Sequence, residues 1–419
     1  MKITRPRAIL VNYDFPPNEG IGGRRWGFLA NELSKHFELI VIKAEPKSKE
    51  KISSQIPIDT GIEVISLPRT YPEVLIAEVK TLGQKLRYQA AIRFLKLTHK
   101  GTIYDQSIGW EKNLIHQISQ IHQQKQIDWI FATGAPFNML YHIAQWKSKH
   151  PGVKYWVDFR DPWLNAQNYG MPHLSETRKK QENNKALSVL KHAEVVSTPA
   201  FPIFHEFKDI LSKLEKPPVI YELKHFYVGN EYQAIQPIES AGIEITYGGE
   251  IYIGLEPFIN QLDHDLSKLK NEQPHIYQKL KFNFFVRDKL KLKRLSNHQN
   301  VFVNDVIGNQ IEAIISKSSW CLILLAFHNK DFFTTKYFDF QKLQVPFLYL
   351  GESGLVEKKI NEEHRGMSWN ILFAKLLKGE IPNPATFNNA PNPSDSVVSR
   401  GEEIIALIKQ VENENSITH

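Results

Sequence analysis

The chain has 419 residues, 42% of them hydrophobic and 11% aromatic, with 23% charged; it is too long for one ordinary core and too apolar for a disordered chain, so two domains are expected. Its formal net charge of +7 favours an anionic partner, whether nucleotide, phospholipid surface or nucleic acid, without choosing among them. The single cysteine, Cys321, excludes an internal disulfide and sits in the strand-like run "WCLILLAF" as a small core residue, which fits a reducing, cytoplasmic compartment.

Short apolar runs alternate with helix-period segments, the pattern of a parallel α/β protein. Strands are expected at 8–11, 39–42, 62–67, 129–132, 155–157, 195–197 and 219–221. A second series is expected at 243–247, 282–286, 301–303, 322–326 and 347–350. The aperiodic stretch "YVGNEYQAIQPIESAG", residues 227–242, reads as a linker. The expected domains are therefore 1–226 and 243–395, followed by a polar loop and terminal helix at 396–419 that packs back on the first domain. No apolar stretch approaches the roughly 18 residues of a membrane span. The start "MKITRPRAILVNYDF" lacks the long apolar region of a signal peptide.

The first strand empties into "YDFPPNEGIGGRRWG", residues 13–27. Trp26, Leu29, Ala30 and Leu33 repeat at helical spacing, so a helix is expected behind the glycines. Gly20, Gly22 and Gly23 permit positive φ and close approach of a ligand, with the helix amides and dipole turned toward an anion. Arg24 and Arg25 add charge, since a guanidinium grips phosphate oxygens at two points. The G-I-G-G spacing meets neither the dinucleotide nor the P-loop signature, and a tight turn with solvated arginines is the plain alternative.

"DFRDPWLNA", residues 158–166, also follows a buried strand and brings Asp158, Arg160 and Asp161 to the same rim. Pro162 and Trp163 would stiffen the turn, and an Asp–Arg pair that merely pins the loop is the alternative. In "FFTTKYFDFQKLQVPFLYLG", residues 332–351, Thr334 and Thr335 read as N-cap residues. Lys336 in the first turn opposes the helix dipole unless an anion sits there. Asp339 follows one turn later, where a carboxylate could accept ribose hydroxyls; an exposed Lys–Asp helix pair is the alternative.

In this order the stretches resemble the retaining family-four glycosyltransferases of the GT-B fold, most of all the branch from bacterial capsule, exopolysaccharide and O-antigen clusters. "NYDFPPNEGIGGRRWG" is similar to that branch's first-loop signature. "TGAPFNMLYHIA", which contains Pro136, and "VDFRDPW" are similar to its later N-domain loops. "ITYGGEIYIGLEPFI" looks like the strand opening its donor domain, and "TTKYFDFQKLQVPFLYL" like its donor-binding helix.

The resemblance implies two doubly wound Rossmann-like domains facing across a cleft. It implies transfer of a sugar, with retention, from a nucleotide-diphosphate sugar to a hydroxyl of a glycan or lipid-linked acceptor in cell-surface polysaccharide biosynthesis. No cofactor and no metal are implied; the nucleotide sugar is a co-substrate. Carried over by position, Arg160, Asp161 and Arg24 are catalytic, while Gly22, Gly23, Thr334, Thr335, Lys336 and Asp339 bind the donor. Asp158, Trp163 and Pro136 fall in acceptor-side loops.

The chain departs from the family in places. Many members carry an Arg and a Lys after the first donor-domain strand, where residues 249–254 read GEIYIG. Asp339 stands where Glu is usual, Tyr221-Glu222-Leu223-Lys224 where Pro-Asn-Gly is common, and Arg160 where many relatives place a histidine. An inactive partner subunit and a sugar-nucleotide epimerase of the same fold are the alternatives.

Residues 78–101 put Leu82, Leu86, Ala90, Phe94 and Leu97 on one helical stripe among Lys80, Lys85, Arg87, Arg93, Lys96 and Lys100. Such a helix can lie on an anionic membrane surface, here the inner face of the cytoplasmic membrane, or pack on the core with a solvated basic face. The run "RDKLKLKRL", residues 287–295, reads as a solvated edge, with contact to the donor phosphate as the alternative. No nucleic-acid-binding signature, zinc spacing or calcium loop appears, and Asp158 and Asp161 are too far apart for the DxD pair of metal-using transferases.

Overall fold

The computed structural model describes residues 5–18, 21–46, 56–166, 169–229, 242–252, 254–306, 308, 310–326, 330–388 and 390–417. The chain forms two compact units, Met1–Lys224 with Val397–His419, and His225–Ser396.

The first unit runs β1 (Arg7–Val11), α1 (Ile21–Ser34), β2 (Glu38–Ala44), β3 (Glu63–Leu67), α2 (Leu82–Thr98), α3 (Glu111–Gln124), β4 (Trp129–Gly134), α4 (Asn138–Lys147), β5 (Lys154–Phe159), α5 (Glu176–His192), β6 (Val195–Thr198), α6 (Lys208–Leu211) and β7 (Val219–Glu222). Its strands make one parallel sheet in the order β3-β2-β1-β4-β5-β6-β7. The central strands are buried on both faces, which is why they read as unbroken apolar runs. Buried tryptophans Trp26, Trp129 and Trp156 gather around Phe131 of β4.

The second unit runs β8 (Ile243–Gly248), α7 (Glu256–Glu272), α8 (Pro274–Tyr277), β9 (Leu280–Phe285), β10 (Val301–Asn304), α9 (Gln310–Ile315), β11 (Trp320–Leu325), α10 (Thr335–Gln341), β12 (Phe347–Gly351), α11 (Leu355–Glu362), β13 (Gly366–Ser368) and α12 (Trp369–Leu377). Its parallel sheet has the order β10-β9-β8-β11-β12-β13. The short strand β13 has no counterpart in the sequence expectations. The final helix, α13 (Val397–Ile417), belongs to the first unit and packs on α1, burying Ile404, Ile405 and Ile408. Of the expected linker, residues 230–241 lie outside the described residues, and Tyr227 pairs with Ser396 inside the second unit.

Strand order reverses between β1 and β4 in the first sheet and between β8 and β11 in the second. Ligands of open α/β sheets bind at such switch points, beyond the carboxyl ends of the strands. The loops after β1, β4, β8 and β11 are therefore where chemistry is sought.

Candidate functional site

In the first unit α1 begins at Ile21, so Gly22, Gly23, Arg24 and Arg25 form its first turn. This corrects the expectation of a glycine loop ahead of the helix, and neither Gly22 nor Gly23 has positive φ. What the two glycines supply is room. A Cβ on Gly22 would collide with Nη1 of Arg160, and one on Gly23 with the carbonyl oxygen of Asp14. Gly20 lies outside the described residues.

Arg160 follows β5 and is tied down by its own amide, which donates to the Gly134 carbonyl at 2.9 Å. Its Nε and Nη2 both donate to Oδ2 of Asp161, at 2.8 and 2.6 Å. Burial opposes the charge on this guanidinium, but Asp161 outweighs it and holds the pKa above the ordinary arginine value. The result is a fixed cation lying against the first turn of α1. Arg24 stands in that same turn, half-buried, 5.9 Å over the ring of Phe28.

Two helices start beside the switch point, and among the described residues only one of them is capped by an acid. The amides of Phe137 and Asn138, opening α4, donate to Oδ2 of the buried Asp105 at 2.6 and 2.9 Å. That carboxylate satisfies the positive end of α4. The first turn of α1 contains no acidic residue and carries Arg24 with Arg160 against it. Partial positive charge and two guanidiniums are a combination that could receive an anion at this terminus.

Three expected acceptor-side residues turn out to be structural. Asp158 is fully buried and accepts from Trp26 Nε1 at 2.8 Å and Ser197 Oγ at 2.7 Å. Arg25 faces it at 3.6 Å and donates to the Leu223 carbonyl, so this arginine points inward and not to phosphate. Trp163 is also fully buried, stacked on Phe137 at 5.2 Å between centroids, with its indole donating to Glu182. Pro136 is buried in the turn ahead of α4. These residues shape the loops without being placed to touch an acceptor.

One residue gave no signal in the sequence. Glu206 accepts from the amides of Trp163 and Asn165, at 2.5 and 3.0 Å, and so clamps the loop that carries Asp161. Burial pushes its carboxyl up to about 7, against the lowering effect of those amides.

In the second unit Thr334 is the N-cap of α10, and Thr335 is its first helical residue rather than a second cap. Lys336 reaches back from this helix to the exit of β8. Its Nζ donates to Tyr247 Oη at 3.2 Å and lies 4.9 Å from that ring's centroid. A Cβ on Gly249 would collide with the same ammonium, and φ of +156° suits only glycine there. Burial lowers the Lys336 pKa to about 8, with Cys321 and Glu250 opposing. The segment 249–254 has no basic residue of its own, yet a cation stands at its entrance. Asp339 lies one turn on in α10, half-buried. The alternative of an exposed Lys336–Asp339 pair is not what the chain adopts.

Among the described residues no group of three or more His, Cys, Asp or Glu side chains is placed to hold a metal ion. No helix among them is long and apolar enough to cross a membrane.

No protein-family model matches the sequence, and no curated protein does. Solved structures share its fold. A trehalose-6-phosphate synthase, solved in a study of enzymatic glycosyl transfer with retention, has a TM-score of 0.58 at 12% identity, covering 96% of this chain and 99% of that one. A UDP-forming α,α-trehalose-phosphate synthase from Burkholderia xenovorans gives 0.58 at 8% identity, with 97% and 99% covered. Sucrose-phosphate synthase from Thermosynechococcus elongatus gives 0.55 at 10%, with 99% and 100% covered. The chain thus has the two Rossmann-like domains of GT-B glycosyltransferases, a likeness of fold.

Proposed function

We propose that the protein is a retaining, metal-independent glycosyltransferase that moves a sugar from a nucleotide-diphosphate donor to a hydroxyl of a glycan or lipid-linked acceptor in cell-surface polysaccharide biosynthesis. The observation that carries the reading is a pair of cationic anchors at switch points. Arg160 lies against the first turn of α1 in one unit, and Lys336 stands at the exit of β8 in the other.

Breaking a bond to a diphosphate leaving group builds negative charge that must be met by fixed positive groups. Lys336, with Thr334 and Thr335 beside it, holds the donor diphosphate, and Asp339 accepts the ribose hydroxyls. Arg160 and Arg24, at the turn kept open by Gly22 and Gly23, take up charge on the departing phosphate. Asp161 keeps the Arg160 fork oriented. Lys336 does the work of the missing basic pair after β8, because its ammonium stands over that same turn.

Peripheral membrane association is part of the proposal. The capping box of Thr81 and Gln84 starts α2, and its stripe is not packed on the core: Leu82 is 75% exposed, Leu86 65%, Phe94 61% and Leu97 88%. Ile92 and Leu95 hold the helix in place instead. An exposed apolar stripe edged by Lys85, Arg87, Arg93 and Lys96 suits an anionic lipid surface.

The test is transfer of radiolabelled sugar from UDP-, GDP-, ADP- and dTDP-sugars to membranes carrying lipid-linked acceptors, with and without EDTA. One donor should give EDTA-resistant transfer. Transfer that dies on chelation and returns with Mg²⁺ contradicts the mechanism, and no transfer from any donor contradicts the activity.

A further inference from the structure

Helices α4 and α5 connect strands that advance one way along the first sheet, while α1 connects strands that advance the other way. Right-handed crossovers therefore put α4 and α5 on the face opposite α1. There α3, α4 and α5 pack side by side. With the C-terminal end of α2 they surround a cavity of about 650 Å³, within the range of small-ligand sites.

Two buried polar atoms on its wall have no hydrogen-bond partner among the described residues. One is Nδ2 of Asn138, a residue only 3% exposed, and the other is Oε2 of Glu111. The other end of the Asn138 amide is taken, since Oδ1 accepts from Lys185 Nζ at 3.0 Å. Lys185 is itself satisfied by the Lys100 carbonyl and by Glu182. The buried part of the wall therefore offers a spare donor and a spare carboxylate oxygen, while the exposed Lys100 adds an ammonium at the rim.

That inventory selects a class of ligand. An unpaired carboxylate oxygen repels anions and accepts from hydroxyls. His99 is held neutral, because burial and then Lys185 push its pKa down to about 4, and burial also lowers His142. Tyr141, Gln145 and Ser188 complete a wall of rings, amides and hydroxyls. Buried polar groups are normally paired, so each orphan atom is better accommodated with a partner bound.

We infer that this cavity binds a neutral saccharide, one or two residues of a glycan, on the face of the sheet opposite α1. Hydroxyls of the sugar donate to Glu111 Oε2, a ring or hydroxyl oxygen accepts from Asn138 Nδ2, and the Tyr141 ring supplies an apolar wall. The inference goes beyond the glycosyl-transfer reading and does not depend on it.

Saturation-transfer NMR on the full chain with maltose, lactose and N,N′-diacetylchitobiose tests it. At least one probe should receive saturation. The signal should vanish in Asn184→Trp and in Gln145→Trp, both exposed positions where an indole fills the cavity without entering the core. It should weaken in Glu111→Gln and persist in Lys336→Ala. A cavity that holds solvent only gives no transfer to any probe and overturns the inference. Transfer that survives the tryptophan variant that retains the wild-type melting temperature, or that disappears with Lys336→Ala, overturns it too, the latter by tracing the sugar to the donor site.

Discussion

The guanidinium of Arg160 fills the space that a side chain on Gly22 would need. The contact is with the far end of a flexible side chain, so Gly22→Ala leaves the backbone intact and pushes the cation away from the α1 terminus. A charge-assisted hydrogen bond is worth about 1.5–3 kcal/mol, so turnover should fall about tenfold or more while the melting temperature changes little. Arg160→Lys should not restore activity, since an ammonium cannot hold Asp161 and phosphate with one rigid fork. Steady-state kinetics beside thermal melts of both variants checks this.

Gly23 answers to a different constraint. Its missing side chain makes way for the Asp14 carbonyl, which is backbone and cannot swing aside. Gly23→Ala should lower stability by about 1–3 kcal/mol, as overpacking does, and lose activity mainly through unfolding. Arg24→Ala should show the opposite pattern, full stability with reduced turnover. Denaturant titration and transfer assays on the pair separate the two roles.

Lys336 gives the donor site a pH signature. With its pKa lowered to about 8, the ammonium is lost from the free protein as pH rises through that value. Affinity for a nucleoside diphosphate should therefore weaken between pH 7 and 9 in the native protein, and be weak and flat in Lys336→Met. Folding responds with the reverse sign. Between about 8 and the ordinary 10.5 the unfolded chain binds the extra proton, so stability gains from this group as pH rises. Calorimetric titration across pH reads the first effect; binding with the same pH slope in Lys336→Met would remove the lysine from the site.

Glu206 should be visible in stability rather than binding. Its carboxyl is raised from 4.5 to about 7, so in that window the folded state holds the extra proton. Stability from this group therefore falls as pH rises through the window, and the cost of the buried charge is fully present above pH 7. Glu206→Gln keeps an oxygen for the Trp163 amide and removes the charge. Its melting temperature should gain on the native protein as pH climbs from 4.5 to about 7, and hold that gain unchanged at higher pH. Parallel curves over the range would show that the carboxylate is not buried as described.

The sheets were readable because parallel strands covered on both faces leave apolar runs such as residues 8–11 and 322–325. The start of α1 was not readable. Two adjacent glycines look like a loop when the neighbours that demand them, Arg160 and the Asp14 carbonyl, are supplied by other segments. Asp158 and Arg160 are two apart in one motif, yet one faces Trp26 and Ser197 in the interior and the other faces the rim; the motif locates the strand end, not the direction of each side chain. Lys336 was legible as a cation at a helix start, but its reach to Gly249 depends on α10 following β11, the neighbour of β8. Glu206 carries no local pattern at all, because its partners are backbone amides some forty positions away.

The most direct test of the central claim, that Lys336 anchors a nucleotide-diphosphate sugar, is a thermal-shift titration of the full chain with UDP-, GDP-, ADP- and dTDP-sugars. A ligand that binds only the folded state raises the melting temperature in step with its concentration. The account predicts such a rise with one nucleotide class, undiminished by EDTA and abolished in Lys336→Ala, whose unliganded melting temperature stays near that of the native protein. No rise with any sugar nucleotide, or a rise that survives in both Lys336→Ala and Asp339→Ala, would contradict it.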